Sequence, residues 1–353
     1  MLKPIIKKAF LFTALLLNVN FFGAEEEVFD QGYAIDANQM LNNYNAPARY
    51  DVKGEWDFYF TGALTLWQAI EQGLDLGYTT PSDPASNPAR IVHMNFDYKP
   101  GFKITLGSNL GVDNWIAHLD YTFLHQTQSS AKSRVTSDPF NFYTLHDMSS
   151  VGALVNPTKL SSKWKLDFDM FDLSIARPFY LGTQLTMSPF FGLKGGVINQ
   201  RSDNTVYASS AAVYKIIETE KTWLLGPRIG ANGNWMLDEG FRFFGNIAAS
   251  LFYQNFHLSA REYVDPLYTY IINLSRYDKG YVNSDLEIGV GFAWGSYCWQ
   301  DNLHLDILIG YDFQLFFNQN LMVSIEEEIA NLSAPSPGDL MLQGFTFSFR
   351  LDF

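Results

Sequence analysis

Cysteine is almost missing from this sequence. Cys298 is the only one in 353 residues, so neither an internal disulfide framework nor a thiolate metal cluster can be built. Charge is scarce too, at 17% of residues. After the N-terminus no run of 18 apolar residues occurs, which excludes spanning helices. Positive charge is the rarer sign. The whole chain carries −13, and without Lys3, Lys7 and Lys8 the remaining 21 basic and 37 acidic residues leave −16. That balance disfavours nucleic acid, which wants a basic footprint. Neither a glycine-rich phosphate loop nor a metal-spaced histidine cluster occurs, so no cofactor or metal is expected. Asn331-Leu-Ser333 is an acceptor-type triplet of no specificity here.

What the chain has in plenty is aromatic residue, 16% of the total, with 30 phenylalanines. Aromatic wealth, low charge and no long apolar run suit strands on which only every second residue is apolar. The end of the chain shows the pattern best. Phe345, Phe347, Phe349, Leu351 and Phe353 alternate with Gly344, Thr346, Ser348, Arg350 and Asp352. Side chains on a strand alternate faces, so one face is wholly apolar and the other polar. A soluble sandwich strand could share this pattern. A terminal aromatic on such a strand, in a secreted chain, resembles the C-terminal signal of bacterial outer-membrane barrels. By that resemblance Phe353 would engage the barrel-assembly machinery.

The N-terminus reads as a leader. Lys3, Lys7 and Lys8 form a basic region, Ala9 to Asn18 an apolar one, and Phe22-Gly23-Ala24 precedes the acidic Glu25-Glu26-Glu27. We assign residues 1–24 to a signal peptide, 25–54 to a periplasmic lead-in and 55–353 to a transmembrane barrel domain. An N-terminal anchor helix is the alternative, disfavoured by the short apolar stretch.

Ten alternating segments follow. Phe58, Phe60, Leu64 and Leu66 face outward on the first, Phe102, Ile104 and Leu106 on the second, and Trp115, Ala117, Leu119, Tyr121 and Phe123 on the third. The fourth, residues 164–176, starts with Trp164, Leu166, Phe168 and Met170 outward, then changes phase at Met170-Phe171, which predicts a bulge. The fifth and sixth hold Pro189 and Pro227, which cannot donate to a ladder and predict bulges or strand ends. Phe241 to Tyr253, Leu286 to Trp294, Leu305 to Phe313 and the closing strand are cleaner. Connections alternate strictly between short and long, as tight periplasmic turns and large external loops require. The expected fold is therefore all-β, an antiparallel transmembrane β-barrel of about 10 strands in a bacterial outer membrane. A hairpin hidden near residues 90–97 or 206–217 would raise the number to 12. Trp56, Trp67, Trp115, Trp164, Trp223, Trp235, Trp294 and Trp299 fall at strand ends or in turns and read as two aromatic girdles.

Several stretches resemble a known family. They are Tyr44-Asn-Ala-Pro-Ala-Arg-Tyr-Asp-Val52, Trp56-Asp-Phe-Tyr-Phe-Thr-Gly-Ala-Leu-Thr-Leu-Trp67, Trp164-Lys-Leu-Asp-Phe-Asp-Met-Phe-Asp-Leu173, Pro189-Phe-Phe-Gly-Leu-Lys-Gly195 and Gly226-Pro-Arg-Ile-Gly-Ala-Asn-Gly-Asn-Trp235. They are similar to the Legionella-type pore-forming outer-membrane proteins, which include the major-outer-membrane-protein-like porins of chlamydia-related bacteria. The resemblance implies a porin-like pore for passive diffusion of small hydrophilic solutes or ions. The cysteine-rich, crosslinked character of chlamydial major porins is missing.

The residues expected to line the pore are Asp57, Lys103, Asp120, Asp167, Asp169, Lys194, Arg228, Arg242, Asp285, Glu287, Asp306, Asp312 and Arg350. With Lys165 and Asp352 added, the inward face holds nine acids and six bases, a mildly cation-favouring lumen if open to water. The alternative is a plugged barrel in which these charges pair off. An enzyme is the competing class, because omptin proteases use Asp and His on a ten-stranded rim. Here Asp167-Phe-Asp169 falls near the external rim and His304-Leu-Asp306 near the periplasmic one, too far apart to share a substrate. The chain is not expected to be an enzyme. A third reading is an adhesin acting through external loops, where the aromatic stretches 140–147 and 263–270 would bind partners or pack as a lid. Residues 129–137 read as a solvated tip, and Cys298 as an inert thiol or one intermolecular bridge. Expected partners are outer-membrane lipid, small solutes or ions, and a second copy in a homo-oligomer.

Overall fold

Alternation dictates strands, and pairing the first strand with the last leaves no edge. In the computed structural model, residues 48, 50, 52–53, 57–80, 88–110, 113–134, 141–145, 157–209, 212–265, 269–322 and 337–353 are described. The leader, most of the lead-in and Trp56 lie outside them. The barrel strands are β1 (Phe58–Glu71), β4 (Tyr98–Asn109), β5 (Ile116–Ser133), β7 (Pro157–Ala176), β9 (Leu185–Ala208), β10 (Val213–Met236), β11 (Phe241–Asp265), β12 (Thr269–Cys298), β13 (Leu303–Asn320) and β14 (Gly338–Asp352). Each pairs antiparallel with its neighbour, and β14 returns to β1 from Tyr59↔Asp352 to Glu71↔Leu340. Closure at ten strands satisfies the backbone that an open edge would leave bare in lipid. The closing strand behaves as its pattern predicts.

The remaining strands among the described residues are short. β2 (Gly77–Thr80), β3 (Arg90–Val92) and β6 (Asn141–Thr144) make a separate sheet at the long-loop end, and β8 (Phe179–Tyr180) pairs with the start of β9. The two places expected to hide a hairpin add no barrel strand. Residues 90–92 are β3, and 206–217 are the facing ends of β9 and β10, separated only by residues 209–212. Much of the expected long loops is strand: β11 and β12 continue pairing up to Val264↔Thr269.

The short-turn end is periplasmic. Its turn at Asp238-Glu239-Gly240-Phe241 is tight: φ is 49° at Glu239 and 84° at Gly240, and the Phe241 amide donates to the Asp238 carbonyl over 2.8 Å. Two successive left-handed residues match the twist of the flanking strands, and glycine adopts the second without penalty.

Of three expectations about register two are corrected, and the third, an end of pairing at Pro189, holds on the β7 side. β5 and β7 pair without a break from Ile116↔Ala176 to Ser133↔Lys159, so no bulge lies at Met170-Phe171. Pro227 stays in register, opposite Leu193; its missing donor falls where the β10–β11 ladder lapses between Leu225↔Tyr253 and Arg228↔Ser250. Pro189 sits one residue past the last β7–β9 pair, Ala176↔Phe190. Irregularities occur elsewhere, between Leu258 and Ala260, between Glu262 and Tyr263, between Phe316 and Asn320, and between Pro157 and Lys159.

An apolar band wraps the outside. Leu64, Phe102, Phe171, Phe191, Ile229, Ile247, Val290, Ile309 and Phe347 are all exposed on it. Ring pairs border the band: Trp223 with Tyr253 at 5.7 Å on the loop side, Phe58 with Phe353 at 5.1 Å on the periplasmic side. Trp67 and Trp164 correct the girdle expectation. Both are buried inside the barrel, Trp67 donating to the Thr346 hydroxyl at 3.2 Å and Trp164 to the Gln200 side chain at 2.9 Å.

Candidate functional site in the barrel lumen

The lumen divides across its height. Towards the loops it is filled by apolar side chains. Phe168 on β7 meets Phe316 on β13, diametrically opposite in the strand order, with ring centroids 5.6 Å apart. Leu166, Ile198, Leu224, Phe252 and Phe256 pack around them. Leu74, Leu76 and Met94 from the connection after β1, and Leu321 and Met322 from the one after β13, close the top of this cluster. A polar seam crosses it. Gln200 donates to both Glu71 and Glu220 at 3.4 Å, and Glu220 also accepts from Gln319 and from the Leu321 amide. Glu220 is thus held by amide donors without a cation, whereas one oxygen of the buried Glu71 has no hydrogen-bond partner among the described residues.

Towards the periplasm the lumen opens into a cavity of about 390 Å³. Its charged lining is Asp120, Asp172, Glu287 and Asp306 against Lys103, Arg228, Arg242 and Arg350. The charges pair across the barrel. Lys194, wholly buried, contacts Asp285 and lies 2.7 Å from Glu287. Arg228 grips both oxygens of Glu287 at 3.0 and 2.9 Å. Arg242 reaches Asp306 and Lys103 lies 3.1 Å from Asp312, whereas Arg350 holds Asp352 two residues on along β14. A lysine at zero exposure persists only with such partners, since desolvating an unpaired ammonium is prohibitive. These bonds tie β9, β10, β11, β12 and β13 together through the interior rather than through the ladder.

Ala48, Tyr50 and Lys53 lie at the periplasmic mouth. Ala48 donates its amide to the Pro178 carbonyl, and Lys53 bonds Asp301 through both its amide and its ammonium group, the latter at 2.9 Å. Between them the Tyr50 ring stacks on His304 at 4.0 Å and faces Arg242 and Arg350 at 5.8 and 5.4 Å. Burial pushes the Tyr50 phenol up to about 12, with Arg242 pulling the other way.

Ten of the thirteen residues expected to line a pore face the lumen: Lys103, Asp120, Lys194, Arg228, Arg242, Asp285, Glu287, Asp306, Asp312 and Arg350. Three do not. Asp57 is exposed at the periplasmic rim beside Asn109. Asp167 and Asp169 lie on the outer face, because Leu166, Phe168 and Met170 between and beside them are the ones buried inside. There Asp169 accepts from the Tyr121 hydroxyl at 2.7 Å and lies 2.8 Å from His125, while Asp167 pairs with Lys165 at 2.8 Å. Removing these three acids and Lys165 from the inward count leaves six acids and five bases, and the inward Asp172, Glu71 and Glu220 raise the acids to nine, so the expected acid excess stands on partly different residues. Asp172 was missed. It stands opposite Lys194 in the β7–β9 ladder, and the even spacing from Asp172 back to Phe168 carries the signal once the true phase is known. The two Asp and His pairs weighed for catalysis stand on opposite faces of the wall as well as at opposite ends; His304 is bound to Asp352 at 3.1 Å. Cys298 closes β12 as a free thiol. The aromatic stretches expected to bind or to form a lid lie partly outside the described residues, as does the tip at 129–137, of which 129–133 belong to β5.

A family model described as Legionella pneumophila major outer membrane protein precursor matches residues 51–353. No curated protein sequence matches. Among solved structures the chain is similar to a major outer membrane protein from Thermus thermophilus, at 11% identity and TM-score 0.29, over 83% of this chain and 99% of that one. It is also similar to the CymD monoaromatic hydrocarbon channel, at 9% identity and TM-score 0.32, over 90% and 96% of the two chains. A third is the outer membrane protein AlkL, solved by solid-state NMR in DMPC bilayers, at 10% identity and TM-score 0.28, over 88% and 97%. Likenesses this distant carry nothing about what the barrel transports.

Proposed function

The chain belongs to the Legionella major outer membrane protein family and resides in the bacterial outer membrane, and from that premise we propose that it is a gated pore for small hydrophilic solutes and ions. The supporting observation is the lumen itself: a charged cavity of about 390 Å³ on the periplasmic side stops at apolar packing capped by residues of two external connections. Opening requires Leu74, Leu76, Met94, Leu321 and Met322 to withdraw, which elements outside the ladder can do without breaking the barrel. The excess of acids over bases in the lumen makes the pore mildly cation-favouring, because fixed charge of one sign is what discriminates.

Planar-bilayer recording of the refolded chain, residues 25–353, tests this. Brief stepwise currents from the wild type, lengthened by Phe168→Ala and Leu321→Ser, are expected, with a reversal potential displaced to the cation-selective side in a KCl gradient. Glu287→Gln should shift that potential towards anions. A heat-modifiable barrel that stays silent in all variants overturns the pore reading. The second reading, a plugged structural or adhesive barrel, draws on the same apolar packing and would then stand.

A further inference from the structure

Just above the Trp223–Tyr253 ring pair, the outer wall changes from apolar to cationic. Lys221 stands opposite His257 and Asn199 in the two adjoining ladders, Thr219 opposite Ser259 and Arg201, and Ile217 opposite Arg261. Lys165 pairs in register with Arg201 from the next strand. Together they line a cleft of about 780 Å³ on four strands of the outer surface. A strand rises ~3.3 Å per residue, so Lys221 begins roughly 7 Å above Trp223, where amphipathic rings mark the head-group level.

Two of the cations already have partners, Asp167 holding Lys165 and Asp203 holding Arg201 at 2.8 Å, and the His257 ring lies 2.6 Å from Asp278. Lys221 and Arg261 are exposed and have no partner among the described residues. Two such cations in one concave site stand out on a chain of −13. Directly below, Trp223, Leu225, Leu251 and Tyr253 are exposed on the band that faces acyl chains. A ligand spanning both zones is amphiphilic: anionic above, hydrocarbon below.

We propose that this cleft binds the phosphate-bearing head group of an outer-leaflet glycolipid, with Lys221 and Arg261 as the phosphate ligands and Trp223 and Tyr253 beneath its first acyl carbons. Arginine offers a planar fork to two phosphate oxygens and lysine a compact charge, and basic pockets at bilayer surfaces recognise anionic head groups in this way. Arg201 and Lys165 add attraction from pairs that can turn towards a stronger anion.

Native mass spectrometry of the refolded chain in nonionic detergent, with bisphosphorylated lipid A as probe, tests the assignment. Wild type should retain the lipid, and Lys221→Gln with Arg261→Gln should weaken retention about 30-fold, from roughly a fivefold loss per cation. Lys53→Gln, at the periplasmic end, should change nothing, and unchanged heat-modifiable migration shows that the double variant folds. Lipid A stripped of phosphate should bind as weakly as the double variant shows for the intact lipid. Equal retention by wild type and double variant overturns the proposal, as does equal retention of the stripped lipid. Displacement by micromolar inorganic phosphate would overturn the lipid as the occupant and leave a free-anion site.

Discussion

On β7 two lengths of one strand follow opposite rules. From Phe171 to Ile175 the outward side chains are apolar and the inward Asp172 is charged, but from Lys163 to Asp169 the outward side chains are charged and the inward Trp164, Leu166 and Phe168 are wholly buried. The register with β5 runs unchanged through both. What changes is the solvent outside. In the band it is hydrocarbon, so apolar residues face out and polar ones pair in the lumen. Above the band it is water, so the same strand follows the rule of soluble sheets and buries its apolar face. β9, β10 and β11, of 24, 24 and 25 residues, make the same exit.

The sharpest way to break this comparison uses two lysines on adjacent strands. Lys194 lies inside the membrane-level lumen at zero exposure, whereas Lys165 lies on the outer wall above the band. Lys194→Met leaves Asp285 buried beside an uncharged chain and should cost about 3–5 kcal/mol in urea unfolding from micelles. Adding Asp285→Leu should recover most of it, since an apolar pair of similar volume often does as well as the ion pair. Lys165→Met should cost about 0.2–1 kcal/mol, the range for an exposed pair. Similar losses for both lysines would dissolve the distinction between the two zones.

A charge placed on the outer wall should report the same boundary with a smaller effect. Ile247→Lys puts an ammonium in the apolar band and should cost about 2–4 kcal/mol, whereas Thr219→Lys, above Trp223, should cost within about 0.5 kcal/mol. Equal losses would mean that the band extends higher than the aromatic ring pair.

Much of this architecture was legible because period-two alternation survives wherever one face meets lipid. The ten strands, the closing β14 and ten inward charged residues follow from it. The misreadings share one cause. Trp164, Leu166, Phe168 and Met170 read as a lipid face because periodicity reports that two faces differ, not which solvent each meets. The rule for membrane strands was carried past the membrane, and Asp167 and Asp169 were turned inward with it. The same step made loops of the long ends of β9 to β12 and a bulge of Met170-Phe171. A plugged barrel stands among the readings of the sequence, but the residues of the plug are not legible in it, for another reason. Leu74, Met94 and Leu321 lie in irregular connections, where no period links a side chain to the lumen, and Phe168 meets Phe316 only through closure of the whole barrel.

The prediction most specific to β7 separates neighbouring residues. Leu166→Ala removes buried apolar volume and should cost about 2–5 kcal/mol. Asp167→Ala, one residue on, removes a partly exposed partner of Lys165 and should cost no more than about 1 kcal/mol. Were Asp167 in the lumen, its loss would strand a buried lysine and the order would reverse. Salt sharpens the contrast: screening at high ionic strength should erase the Asp167 effect while leaving the Leu166 loss intact, since burial of hydrocarbon does not depend on charge.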